Sequence, residues 1–318
     1  MSWKRILVGV DESPQAAAAA ALAVRLAKAL RGECIPVHAV RQMWLAFAEE
    51  EIVDRSTELQ AALIDASRRE VAAALREHVP DETLRRLIVR PGSPAAVLRD
   101  VARDVEADAV VLGGKHHLAL RRWAGGSTAH NCVRTIGLPV LVVGPRADAG
   151  AGPFGRVLAA VDLSEAAAPV AAAARELAAG LRAELRALCV IEPPLPLPDV
   201  MSVLTPSQYS RLAERTLARR VWPLFSGSEA KTVARQGPVM ETIREESAAW
   251  NADLLVVGSH GKGWGERLIL GSATERLIED LPTSLLVVPV HAPEEMQQPA
   301  RRPARKAVRK PVRAGSHA

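Results

Sequence analysis

Short apolar runs recur along the chain, each separated from the next by a longer stretch with helical spacing of apolar positions. In the first half the runs fall near 5–10, 34–40, 86–90, 109–113 and 140–143; in the second they fall near 156–161, 185–191, 231–235, 254–258 and 285–289. They are continuous rather than alternating, which is how strands covered on both faces read. Strands alternating with helices predict an α/β fold: two tandem doubly wound domains, each a five-stranded mainly parallel sheet with helices on both faces, Rossmann-like in plan. In such sheets ligands sit beyond the carboxyl ends of the strands, at the switch point.

The two halves are copies. "RILVGVDESPQAAAAAALAVRLAKALRG" (5–32) matches "RVLAAVDLSEAAAPVAAAARELAAGLRA" (156–183). Each runs from an apolar strand through Val-Asp to a Ser and an Ala-rich helix. Ser13 before Pro14 reads as a helix N-cap with proline in the first turn, and Ser164 before Glu165 reads the same way. Gly32 and Gly180 stand where C-terminal caps belong. Further on, the copies agree at a fixed offset: Gly92 with Gly237, Ala107-Asp108 with Ala252-Asp253, Gly113 with Gly258, and Gly126-Ser127 with Gly271-Ser272. The closing strands "PVLVVGP" and "SLLVVPV" are also in register. Each would be an apolar sheet edge if left open, so the copies are expected to pair through them.

The segment "VVGSHGKGWGERLILGSAT" (256–274) carries the chemistry. Glycines at the end of a buried strand let backbone N–H groups approach an anion that a side chain would hold off. The spacing is Gly258, two residues, Gly261, nine residues, Gly271, Ser272. It is neither a Walker loop nor the dinucleotide pattern G-x-G-x-x-G. Gly271-Ser272 open the last helix, whose first turn offers unpaired N–H groups and a partial positive charge. An anion between the Gly258–Gly261 turn and that helix would be held from both sides.

An Asp ending strand one, with G-x2-G-x9-G-[ST] after strand four, resembles the universal stress protein family. "AAVDLSEAA", "ARQGPVMETI", "NADLLVVGSHGKG", "LGSATERLI" and "SLLVVPV" support the resemblance, which covers nearly the whole chain. It implies domains at residues 1–146 and 153–292 with a linker at 147–152; the composition of 293–318 reads as a basic, disordered tail. The resemblance implies ATP, carried with Mg²⁺, in the second copy. Asp162 would lie by the nucleoside, Val190 against the adenine, and Val257 and Gly258 beside base and ribose. Gly261, Gly271, Ser272 and Ala273 would hold the phosphates. Asp162 has a plainer alternative as a turn residue, and so has Asp11.

The first copy departs from the pattern. "GGKHHLALRRWAGGST" keeps Gly113, Gly126 and Ser127 but puts His116 where the second glycine belongs, and Ala39 stands where the second copy has Val190. A Cβ at His116 would obstruct a phosphate loop; the basic groups around it would still attract phosphate. Both an altered site and an ordinary one stay open, with Asp11, Ala39, Gly113, His116, Gly126 and Ser127 as its candidates.

Charge changes the picture at one end only. The net charge is +5, but seven Arg and Lys and no acid follow Gln298; taking these away leaves −2 for the rest. The stretch Arg301–Arg313 is either an arm for nucleic acid or an acidic partner, or a solubilising extension. Aromatics are 3%, too few for base stacking as a main mode. Cys34, Cys132 and Cys189 form no CxxC and read as buried reduced thiols. The apolar run Ile6–Val10 is too short for a signal peptide, and no run is long enough to span a membrane, so a cytoplasmic protein is expected. No G-x-S-x-G or HExxH is present. The expected function is ATP binding in stress response or signalling; a nucleotide-independent scaffold and a slow ATPase are the alternatives. A homodimer stays open beside the intramolecular domain pair.

Overall fold

The computed structural model describes residues 3–40, 53–117, 122–144, 152–192, 206–260 and 270–290. The first copy contributes β1 (Arg5–Gly9), α1 (Pro14–Ala29), β2 (Glu33–Val40), α2 (Val53–Leu75), the single turn α3 (Asp81–Leu84), β3 (Ile88–Pro91), α4 (Pro94–Asp104), β4 (Ala109–His117), β5 (Arg122–Gly125), α5 (Ser127–Thr135) and β6 (Val140–Val143). The second contributes β7 (Arg156–Ala160), α6 (Ala167–Leu181), β8 (Glu184–Ile191), α7 (Pro206–Arg220), a 3-10 turn at Trp222–Phe225, β9 (Lys231–Gln236), α8 (Val239–Ala249), β10 (Leu254–Gly258), α9 (Ser272–Glu279) and β11 (Ser284–Val288).

All these strands join one sheet in the order β3-β2-β1-β4-β6-β11-β10-β7-β8-β9, with β5 hanging from β4. Within each five-strand half the pairing is parallel. The halves meet where β6 and β11 run antiparallel, with Leu285 opposite Val142, Leu286 opposite Leu141 and Val287 opposite Val140. These six side chains are fully or almost fully buried. The pairing turns two apolar edges into a sheet interior, as their sequences required.

Alternate residues of each strand feed two cores. Ile6, Val8, Val157 and Ala159 face α1 and α6. Leu7, Val110, Leu158 and Leu255 face the side of α4, α5, α8 and α9. Both cores run through both copies, so neither half owns a separate interior. The order of strands reverses on either side of β1 and of β7. The switch-point crevices therefore open beyond β1 and β4 in the first copy, and beyond β7 and β10 in the second.

Helix ends correct two readings. Ser13 does cap α1, accepting the Ala16 N–H at 3.2 Å behind Pro14. Ser164 instead accepts the Ala166 N–H, two residues on, and α6 begins later, after Ala166. Gly32 and Gly180 are not the left-handed caps. Arg31 (φ 55) and Arg182 (φ 54) hold that conformation. Gly180 lies inside the last turn of α6, where a Cβ would come within 2.5 Å of Leu30 Cδ2. Its missing side chain lets α1 and α6 end against each other.

Candidate functional site

In the second copy the chain leaves β7 through Val161 and Asp162. The Asp162 carboxylate accepts the Ser164 N–H at 2.9 Å and also the Ser164 hydroxyl. Asp162 is thus a turn residue in fact, and the turn carries it to the carboxyl edge of the sheet. Asp11 makes the same turn with Ser13 in the first copy. The plainer role holds for both, and it fixes their carboxylates in place.

β10 ends at Gly258. A Cβ there would lie 2.7 Å from the Ala166 Cβ and 3.2 Å from the His260 carbonyl oxygen. Only glycine lets the start of α6 close onto the strand end. The Gly258 carbonyl accepts the Thr274 hydroxyl at 2.7 Å, which draws the first turn of α9 onto β10. Ser259 stitches three segments: its N–H donates to Val288 at 2.8 Å, its carbonyl accepts the Gly271 N–H at 2.9 Å, and its hydroxyl accepts the Val290 N–H at 3.2 Å. Gly271 then caps α9 with no side-chain hydrogen bond. The first-turn amides of α9, at Ser272, Ala273 and Thr274, are left without helical partners and point out from its positive end.

On the far side α8 is pinned by a buried carboxylate. Glu246 takes Arg186 at 2.5 Å and Arg235 at 3.1 Å, and Arg186 lies over the Trp250 ring at 4.4 Å. A buried carboxylate with two guanidinium partners is compensated.

Between these elements lies a cavity of about 540 Å³. It brings together Asp162, Val190, Val257, Gly258, Gly271, Ser272 and Ala273. Gly261 lies outside the described residues. The walls are apolar from both cores: Ala167 and Val170 on one side, Leu188, Met240, Ile243 and Leu277 on the other. The polar rim adds Tyr209, Glu241, His260 and Arg276, all missed in the sequence. Tyr209 donates to the Glu192 carbonyl at 3.0 Å. The available signal for Glu241 was its place in the first turn of α8, which starts at the carboxyl edge; Arg276 comes a turn further along α9, four residues after Ser272. A volume in this range, an apolar slot and a few convergent polar groups suit a small organic ligand with an anionic end.

The first copy keeps the frame and changes the contents. A Cβ on Gly113 would come within 2.7 Å of the Gln15 carbonyl oxygen, so α1 closes onto β4 as α6 does onto β10. Beyond Gly113, however, the strand runs on. Gly114 pairs with Gly125, Lys115 with Ala124, His116 with Trp123 and His117 with Arg122 in an antiparallel hairpin. His116 therefore sits in a strand and not in a phosphate loop. Gly126 caps α5 without a side-chain bond, and the Lys115 side chain lies across it, with Cε 3.0 Å from where a Gly126 Cβ would be. Ala39 is half-buried on β2, and Ser127 opens α5. Near the end of β2, buried His38 bonds to the Val10 carbonyl at 2.7 Å and to Ser67 at 2.9 Å. Its counterpart Cys189 lines the second-copy cavity.

All three cysteines are buried and none forms a disulfide. Burial pushes the Cys34 and Cys132 thiols up to about 12. Among the described residues no group of three or more His, Cys, Asp and Glu is placed to hold a metal. No described helix is long and apolar enough to cross a membrane.

The family model described as "Universal stress protein family" matches the chain twice, over residues 2–144 and 153–289. The chain belongs to the universal stress protein family. The double match makes it a tandem, two-domain member. Among solved structures, a universal stress protein from Archaeoglobus fulgidus DSM 4304 is 18% identical, with a TM-score of 0.61 over 92% of this chain and 100% of that one. A protein of unknown function from Pseudomonas aeruginosa PAO1 is 15% identical, with a TM-score of 0.55 over 93% of this chain and 94% of that one. At these identities the likeness is one of fold. A universal stress protein solved in complex with cAMP is 20% identical, with a TM-score of 0.32 over 43% of this chain and 98% of that one. A search of curated proteins returns no match.

Proposed function

We propose that the second copy binds ATP and that the chain acts as a nucleotide-responsive factor in stress response or signalling in the cytoplasm. The observation that supports this reading best is the convergence of seven motif residues on one cavity of about 540 Å³. One end is apolar, and the other is a helix start whose cap brings no side-chain hydrogen bond. Asp162 would receive the ribose, Val190 and Val257 the adenine, and the amides of Ser272 and Ala273, with Gly261, the phosphates. Mg²⁺ would ride on the phosphates, with the Ser272 hydroxyl as a protein oxygen within reach, as suits a cation that keeps most of its water. The domains read as 1–146 and 153–292 joined by 147–152. The tail from 293, which lies outside the described residues, reads either as a solubilising extension or as a weak polyanion-binding arm through Arg301–Arg313.

Hydrolysis would need a positioned water and neutralisation of developing charge. In this reading the Asp162 carboxylate is shared between its turn with Ser164 and the ribose and does not activate water, so the cavity is read as a binder and not as a catalyst. Acid extraction of the purified chain followed by mass spectrometry tests the reading. Adenine nucleotide near one per chain is expected. A chain that carries none and takes up none when ATP is added would leave the interaction scaffold as the better account.

A further inference from the structure

The copies touch a second time on the α1 and α6 face of the sheet. There the C-terminal ends of the two helices meet through Leu30 and Gly180. Beside this contact lies a cleft of about 510 Å³ lined by residues of both copies. Trp3, Lys4 and Arg31 come from the first, and Glu176 and Arg182 from the second. The Lys4 ammonium rests 3.4 Å from the Leu30 and Arg31 carbonyl oxygens. Neither the Arg31 nor the Arg182 guanidinium enters an ion pair among the described residues, and both are exposed.

Arg31 and Arg182 are the same position of the repeat, and both hold the left-handed backbone that favours glycine. A helix C-terminus attracts a cation, but that attraction and the left-handed penalty are of similar size. Helix ends therefore give no reason of their own to choose arginine. The same left-handed position after α4 and α8 is filled by Glu106 and Asn251, so the conformation does not demand a cation either. The cleft balances three cations against the Glu176 carboxylate and two helix ends of about −0.5 charge each, leaving roughly +1. An arginine fork from each copy suits a phosphate, which it can grip in bidentate fashion.

We propose that this cleft between the copies is a second anion site, taking a small phosphate ester whose phosphate is gripped by Arg31 and Arg182 with Lys4 beside them. The organic body would rest against Leu30 and the aliphatic stem of Lys4, over the buried Trp3, and the volume is within the usual range for small-ligand sites. The site lies at the opposite end of α6 from the candidate nucleotide cavity, about 22 Å away along a helix of this length.

The test titrates the full chain with ribose 5-phosphate, with free ribose as control. Weak saturable binding of the phosphate and none of ribose is expected, with Kd on the order of 1 mM for a site of such small net charge. Arg31→Gly with Arg182→Gly relaxes both left-handed positions while removing the cations. It should lower affinity tenfold or more without lowering the melting temperature. Gly271→Val should leave this binding unchanged. Absence of binding to the wild-type chain, equal binding by the arginine double variant, or loss of binding in Gly271→Val would each overturn the proposal. If the double variant melts early, Arg31→Gln with Arg182→Gln gives the same readout.

Discussion

The two copies share a sheet, a helix order and an Asp–Ser turn, yet differ where the strands end. β10 stops at Gly258 and hands its carbonyl to Thr274. β4 passes the equivalent Gly113 and runs to His117 in a hairpin. Ser259 ties Gly271 and the exit of β11 to the strand end; its counterpart is Gly114, which has no side chain and pairs with Gly125. At the other wall, His38 bridges β1 and α2 in the first copy, while Cys189 leaves its place open to the cavity in the second. The lesson is that the frame is set by buried strand residues common to both copies. What the crevice can hold is set by a few residues just past the strand ends.

The comparison rests on a shared sheet, so the largest effect comes from breaking it. Val142→Glu with Val287→Glu would bury two carboxylates without partners at the seam, a loss of several kcal/mol. The melting temperature should collapse, or the scattering profile should show the copies parted. An unchanged melt and profile would mean that the seam does not hold the molecule together.

Exchanging the wall residues sharpens the contrast with a smaller effect. Cys189→His should place an imidazole in the second-copy cavity and weaken ATP by about tenfold, the worth of roughly 1.4 kcal/mol. His38→Cys should cost about 1–3 kcal/mol of stability, because Val10 and Ser67 lose their buried partner, and should not touch ATP affinity. Calorimetry with ATP and denaturant titration separate the two. The smallest effect is expected at the tail. Deleting 299–318 should abolish weak, sequence-indifferent DNA binding whose log–log salt slope is roughly −6 for seven contacts, and should leave ATP affinity as it was. A flat salt response would remove the arm.

Strand positions were legible because continuous apolar runs have one reading in a doubly wound sheet, and the pairing of the last strands followed from their unprotected apolar edges. The glycine spacing pointed to the crevice because Gly258 stands where a Cβ would meet the Ala166 Cβ at the start of α6. The β4–β5 hairpin was not legible, because "GGKHHLALRRWAGGST" has glycines at both ends and its pairing is decided by cross-strand partners. The left-handed Arg31 and Arg182 were hidden by nearby glycines that matched the usual cap. Ser259 and Thr274 were overlooked because their work is done by hydrogen bonds to backbone that only the closed crevice brings near.

The central claim is that the second copy, and not the first, holds the nucleotide. Calorimetric titration of ATP into the wild-type chain, Gly271→Val and Gly126→Val tests it most directly. The account predicts one ATP per wild-type chain. Gly271→Val should weaken it by about a hundredfold as charge-assisted amide bonds to phosphate are lost, and Gly126→Val should change it by less than about twofold. Two ATP per chain, or wild-type affinity in Gly271→Val, would contradict it.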